Sequence, residues 1–298
     1  MMRKFPLYSL GFVLLLFVQA CSSQKELSQW ALDADTAYDS GDHREALRSY
    51  ELLIEGQSAG NGSPEAVFYQ RAGLSAHALG KTNKAVHYLE IARHTPAADH
   101  LTYAALAKSY RELDNLSREI TNLERYLEKS PEAPGIDAMR ERLFETYVES
   151  RNWEQALGLW PQLAGDPSGN EELLEAYFHI KTALEKEGEA TAVAEQLLVL
   201  NRANRVALDH LAKKHFRQAD QRYCREMEAY EENRTHRQYA QLLQALEVVN
   251  TDLHIALDYF ERLYQSNPSA EYATYLANIH ERFQNEERAR YYRRQAGD

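Results

Sequence analysis

Residues 30–53 read WALDADTAYDSGDHREALRSYELL. Small and aromatic residues recur here at helical spacing: Trp30, Ala34, Ala37, Ala46, Tyr50 and Leu53. Small residues let two helices approach closely, and Gly41 lies where a first helix has to turn into a second. The stretch therefore predicts an antiparallel pair of helices.

Weaker copies of this pattern follow along the chain. The interval from Ala46 to Ala85 is 39 residues and that from Ala256 to Ala289 is 33. The pattern resembles the tetratricopeptide repeat (TPR) family, whose units have about 34 residues. The resemblance implies an all-α fold, a TPR-like α-solenoid of antiparallel helix pairs, with about four units in residues 21–165 and further helical repeats in 166–298. The five extra residues after the first unit are predicted to form a loop at 58–64.

Several segments depart from the repeat pattern. Glu119 stands where other units have a close-packing alanine, and Gly188 is predicted to separate the two helices of a fifth pair. Residues 207–230 have apolar positions three or four apart and no glycine or proline, which predicts one long amphipathic helix. The polar and basic segment 288–295 is typical of a capping helix at the end of a repeat array.

The N-terminus carries a targeting signal. Arg3 and Lys4 precede a short apolar run, which predicts a signal peptide over residues 1–20. Cys21 after Ala20 resembles the cleavage site of bacterial lipoproteins, and the resemblance implies fatty acyl chains, palmitate among them, on Cys21. Such a lipid would hold the protein on the membrane of the bacterial cell envelope, and Ser22 in place of aspartate favours the outer membrane. A plain signal peptide with an incidental cysteine is the alternative, and the side of the membrane that the body faces is left open.

Charge argues against nucleic acid as a partner. The formal net charge is −11, and cleavage before Cys21 would remove Arg3 and Lys4 and make it −13. Two local basic runs, 213–217 and 288–294, are either solvated helix faces or docking sites for an acidic partner. Cys224 is either a half-buried helical residue or a thiol that pairs with another chain.

No pattern for catalysis, a metal or a cofactor is recognised. The sequence has no G-x-S-x-G, H-E-x-x-H or glycine-rich phosphate loop, and its histidines are scattered. Glu149-Ser150 matches the catalytic dipeptide of certain lytic transglycosylases, but the G-L-M-Q segment that accompanies it in that family is missing. A solvent-facing glutamate explains the dipeptide better, and we expect no enzyme.

Binding of a protein partner follows from the resemblance. In TPR proteins the first helices of the units line a concave groove that holds an extended peptide or a helix. Transferring that geometry gives a predicted groove, with ordinary solvated surface as the alternative for each residue: Asp35, Tyr38, Asp39, Gln70, Leu74, His77, Lys108, Arg111, Glu145 and Glu149.

The leading hypothesis is a membrane-anchored scaffold that holds a protein partner during complex assembly, secretion, pilus biogenesis or outer-membrane biogenesis. The alternative is a glycan-capture outer-membrane lipoprotein, since starch-binding lipoproteins also use TPR-like helices. This chain has three tryptophans, two of which we assign to helix packing. The partner, the pathway and the oligomeric state are not readable from the sequence, because the helix at 207–230 could pack within the array or against a second copy.

Overall fold

The computed structural model describes residues 27–59 and 62–297. Within these ranges the regular elements are helices and no strand occurs, which confirms the all-α, TPR-like fold class. The predicted signal peptide and Cys21 lie outside the described residues. Among the helices that are described, none is both long and apolar enough to cross a membrane.

The chain divides into two compact units, Met1–Gln155 and Ala156–Asp298, whereas the sequence suggested a division after residue 165. The first unit contains α1 (27–39) and seven further helices, the last of which crosses the division. These are α2 (His43–Ala59), α3 (Ala66–Ala78), α4 (Thr82–Ala92), α5 (His100–Glu112), α6 (Leu116–Lys129), α7 (Ile136–Glu149) and α8 (Trp153–Leu159).

The second unit continues from α8 through two short 3₁₀ turns. Its helices are α9 (Glu171–Ala183), α10 (Glu187–Leu200), α11 (Arg205–Glu232), α12 (His236–Ser266), α13 (Ala270–Arg282) and α14 (Glu286–Ala296). Odd-numbered helices pack against the following even-numbered one in the pairs α3–α4, α5–α6, α9–α10, α11–α12 and α13–α14. Each unit has a core of buried aliphatic and aromatic side chains.

A residue in the left-handed conformation ends the first helix of six pairs in the described chain. The residues, with φ between +55° and +80°, are Gly41, Gly80, Asp114, Arg151, Glu185 and Gln284. The next residue donates its N–H to a carbonyl five residues back at 2.8–2.9 Å, as Asp42 does to Ala37 and Asn285 to His280. This Schellman-type ending satisfies carbonyls that the helix leaves free.

The close-packing alanine lies five residues after five of these six turns. Ala46, Ala85, Ala156, Ala190 and Ala289 occupy this position, and each is 0–4 % exposed. In the second pair the first helix also has a residue without a side chain at the helix contact, Gly73. A Cβ added there would lie 2.5 Å from Leu89 Cγ. Glu119 takes the alanine position in the third pair and is itself 1 % exposed.

The fifth pair corrects one prediction. Glu185, and not Gly188, makes its turn; Gly188 lies inside α10, and a Cβ added there would meet nothing within 4 Å. Glycine was a misleading marker here because Glu185 adopts positive φ despite its side chain.

The long helix expected at 207–230 is α11, which has 28 residues. It pairs with α12, which has 31 residues and is longer than the sequence pattern suggested. The partner of the long helix is thus another long helix of the same chain.

We expect the turn residues to respond to substitution in opposite directions. Arg151→Gly should raise the free energy of unfolding by about 1 kcal/mol, since a left-handed non-glycine residue is strained, and Gly80→Ala should lower it by a similar amount. Urea denaturation followed by circular dichroism measures both. Gly188→Ala is the control: a helical glycine should gain stability from alanine, and a loss there would contradict the turn at Glu185.

Candidate functional site

The first part of the predicted groove, on α1 and α3, is held by an aspartate–arginine contact. Asp35 Oδ1 accepts a hydrogen bond from the Tyr50 hydroxyl at 2.6 Å and lies 2.5 Å from Arg71 Nη1. The Arg71 guanidinium also lies 5.3 Å from the ring centroid of Tyr38, a cation–π distance. Burial and the hydrogen bond to Asp35 raise the pKa of Tyr50, so its hydroxyl stays protonated and donating. Asp35 and Tyr38 are therefore fixed in place before any partner arrives.

Two predicted groove residues link α3 to α5. Gln70 is 8 % exposed and its Nε2 donates to Thr102 Oγ1 at 3.1 Å. Gln70 was predicted as a groove residue, but its side chain is buried and bonded to the neighbouring helix, so it leaves little surface for a partner. His77 Nδ1 lies 3.1 Å from Ser109 Oγ, and burial, assisted by the positive charge of Lys108, lowers the pKa of His77.

Other predicted groove residues are accessible to different degrees. Asp39 on α1 and both Lys108 and Arg111 on α5 are exposed, whereas Leu74 is half-buried against the core of the first unit. The exposed surface thus has acidic groups on α1 and basic groups on α5.

Glu145 and Glu149 on α7 are organised by Arg142. Arg142 Nη1 lies 3.0 Å from Glu145 Oε2 and 2.9 Å from Glu149 Oε1. The same guanidinium makes two contacts to the buried Glu119 of α6, at 2.7 Å from Nε and 3.2 Å from Nη2. One arginine thus neutralises a buried carboxylate and positions two partly exposed ones.

Sequence reasoning missed Arg71 and Arg142, the two arginines that contact the predicted groove carboxylates. For Arg142 a signal existed, because a glutamate at a buried alanine position requires a cation nearby, and α7 is the next helix to supply one. For Arg71 no signal existed, since an arginine on a first helix looks like any solvated residue.

The second unit has an open pocket of about 550 Å³ between α9, α11 and α13. Lys213 in it lies 2.9 Å from Asp209 and 2.8 Å from Glu271; burial alone would lower its pKa, but these two carboxylates raise it. Arg217 pairs with Glu187 at 2.6 Å.

His215, in the same basic run, lies 2.8 Å from Asp252 through Nδ1. Three of the four basic side chains in the run 213–217 are therefore engaged within the chain, which favours an ion-paired surface over a free docking site for an acidic partner. In the second run, Arg290 lies 3.5 Å from Glu286 on its own helix, and Arg293 contacts Glu281.

A comparison with solved structures finds proteins of similar fold. No protein-family profile matches the sequence, and a search of curated proteins finds no match. Among solved structures, a putative protein binding protein from Bacteroides ovatus is 18 % identical, with a TM-score of 0.50 over 76 % of this chain and all (100 %) of that one. YrrB, a TPR protein with an unusual peptide-binding site, is 16 % identical over 66 % of this chain and 97 % of its own, at a TM-score of 0.47. PilF of Pseudomonas aeruginosa is 15 % identical over 75 % of this chain and 86 % of its own, at a TM-score of 0.41.

At these identities the likeness concerns the fold alone. Paired helices, a small residue at a fixed distance from most turns and side chains that link successive first helices define a helical-repeat fold. The described helices have the TPR-like fold that the sequence pattern predicted.

We expect the Glu119–Arg142 pair to be strongly coupled. Arg142→Met should cost about 3–5 kcal/mol of unfolding free energy, because Glu119 would stay buried without a partner. Glu119→Ala should cost clearly less, since it restores the alanine of the other repeats and leaves Arg142 with Glu145 and Glu149. Urea denaturation of both single variants and the double variant gives the coupling. Equal losses in the two single variants would contradict the assigned roles.

Proposed function

We propose that this protein is a membrane-anchored TPR scaffold of the bacterial cell envelope that binds a protein partner through the first helices of its N-terminal unit. The work of such a scaffold would lie in complex assembly, secretion, or pilus or outer-membrane biogenesis.

The observation that supports partner binding most is the arrangement of α1, α3 and α5. Contacts between these helices fix Asp35 through Arg71 and His77 through Ser109, while Asp39, Lys108 and Arg111 stay exposed beside them. Side chains that are already ordered lose little conformational entropy when a partner binds. Ordered side chains on successive first helices suit the binding of an extended segment that crosses several of these helices.

The charge order of the surface limits the partner. Acidic groups on α1 are followed by Lys108 and Arg111 on α5, and then by the partly exposed Glu145 and Glu149 on α7. A segment with basic, acidic and again basic residues in the matching order would complement it. The surface therefore favours a mixed-charge peptide over a uniformly acidic one.

Anchoring through Cys21 rests on the sequence. The basic start, the short apolar run and the cysteine directly after Ala20 are the features of a lipoprotein signal. A single acyl chain binds membranes only marginally, whereas two or three chains hold a protein stably.

Photocrosslinking in the native envelope tests the groove. With a photoreactive phenylalanine analogue placed singly at Asp39, Lys108 or Arg111, we expect the same protein adduct from all three positions, since one bound segment would pass each of them. Arg44 and Arg48 on α2 are also exposed and serve as control positions where that adduct should be missing.

Charge removal gives a second readout of the same site. Lys108→Ala with Arg111→Ala should reduce the yield of the Asp39 adduct about tenfold, since two charged contacts to the partner are lost. Arg44→Ala with Arg48→Ala removes the same net charge from α2 and should leave that yield unchanged. Equal yields in both variants, or equal labelling from α2, would refute groove binding.

We expect Cys21→Ser to move the protein from the membrane fraction to the soluble fraction or to leave an unprocessed precursor, because the acyl chains have no other attachment point. Fractionation, together with mass spectrometry of the N-terminal peptide, measures this. Cys224→Ser is the matched control and should keep the protein membrane-bound. An N-terminal peptide without acyl chains in the wild type would refute the anchor.

A further inference from the structure

The paired helices α11 and α12 extend beyond the length of the other repeat helices. The first helices of the neighbouring pairs, α9 and α13, have 13 residues each, whereas α11 has 28. The distal part of this hairpin, residues 223–246, carries an apolar stripe at spacings of three and four residues on both helices. Its members are Tyr223, Met227 and Tyr230 on α11 and Tyr239, Leu243 and Leu246 on α12.

The six side chains lie on one side of the hairpin. The rings of Tyr230 and Tyr239 are 5.8 Å apart across the two helices, and helical spacing places Met227 and Leu243 next to them. Tyr239 is 48 % exposed and Leu243 46 %, and the other four are partly exposed. Within the described residues, these six side chains form a contiguous, partly exposed apolar face.

The stripe continues a surface that α13 already covers nearer the base of the hairpin. Tyr275 packs edge-on to Phe216 with centroids 5.0 Å apart, and the Arg282 guanidinium lies 4.0 Å from the ring centroid of Tyr223. Arg282 also pairs with Asp220 at 2.8 Å. Helix α13 ends at Arg282, so the face from Met227 outward has the same geometry but no helix on it.

We propose that this face is a self-association surface on which two copies of the chain pair their hairpins antiparallel and close a four-helix bundle. A helix pair with apolar residues on one open side gains a buried core when a second pair covers it. The repeat cores do not depend on this contact, so the protein would be folded in both states.

The face is complementary to itself in an antiparallel arrangement. In this arrangement Met227 and Leu243 lie at the centre of the contact. Tyr230 and Tyr239, at the tip of one hairpin, then pack against Leu246 nearer the base of the other. Aromatic rings pack well against such aliphatic side chains.

Charge is complementary as well. Glu231 lies four residues beyond Met227, and Tyr223 four residues before it, so Glu231 of one copy comes level with Tyr223 of the other. Arg282 covers the ring of Tyr223 and is partly exposed, so it can meet this glutamate. Six apolar side chains per copy make a small interface, which places the dimer among weak, reversible associations.

The test uses the full chain with Cys21→Ser, so that no acyl chain is present and Cys224, which is exposed, is the single cysteine. Sedimentation velocity over a range of concentrations, at less than one chain per detergent micelle, should show a reversible monomer–dimer equilibrium. Leu243→Glu should weaken the dimer at least about tenfold, because it places two charges in the centre of the apolar contact.

Val248→Glu is the matched control. Val248 is 42 % exposed, close to the value for Leu243, but it lies on a different side of α12, so the same substitution should leave the dimer unchanged. Thermal melts of both variants establish that they are folded.

A spin label on Cys224 provides a readout without substitution in the face. The wild-type hairpin pair should give one defined distance between the two labels, which disappears on dilution. A chain that is monomeric at all concentrations, a dimer that Leu243→Glu and Val248→Glu weaken equally, or a dimer without a defined label distance would each overturn the proposal.

Discussion

Close approach of the two helices in each pair is the constraint on which the other features depend. In five of the six pairs with a left-handed turn it is met by an alanine of the second helix, five residues after the turn, and in the third pair the buried Glu119 takes that position. Turn and contact are thus coupled: a shift of the turn by one residue would rotate the alanine away from its neighbour by about 100°. The repeat is therefore preserved as a spacing even where the amino acids differ.

Much of the fold could be predicted from this spacing. The first two helix pairs have both a turn glycine and an alanine five residues later, Gly41 with Ala46 and Gly80 with Ala85, so the sequence predicts these two pairs. The fifth pair was harder because its turn residue is Glu185, and a nearby glycine inside α10 offered a false alternative. Residues 236–266 have repeat-like apolar positions, yet nothing local indicates that they form one helix as long as its partner. Helix length here is set by contact between two elements, which a local pattern does not contain.

The sequence predicted which helices carry the candidate site, but it did not predict which contacts the side chains of the site make. The resemblance gave the helices that carry it, and Asp39, Lys108 and Arg111 are exposed there. A polar residue on a first helix can face either solvent or the adjacent first helix, depending on how the two helices are positioned. The position of α5 relative to α3 places Gln70 against Thr102 and away from solvent. Arg71 reaches Asp35 across two helices that are not consecutive, so only the packed structure reveals this contact, whereas Arg142 pairs with Glu119 on the preceding helix.

The buried carboxylate of Glu119 also restricts how this gene could change. Repeat proteins commonly gain or lose whole units, because an alanine contact is satisfied by almost any neighbour of the same type. The third unit is different: its α6 can be followed only by a helix with a cation at the place of Arg142. A rearrangement that placed another helix after α6 would leave Glu119 buried without its cation, so electrostatics ties α6 to α7.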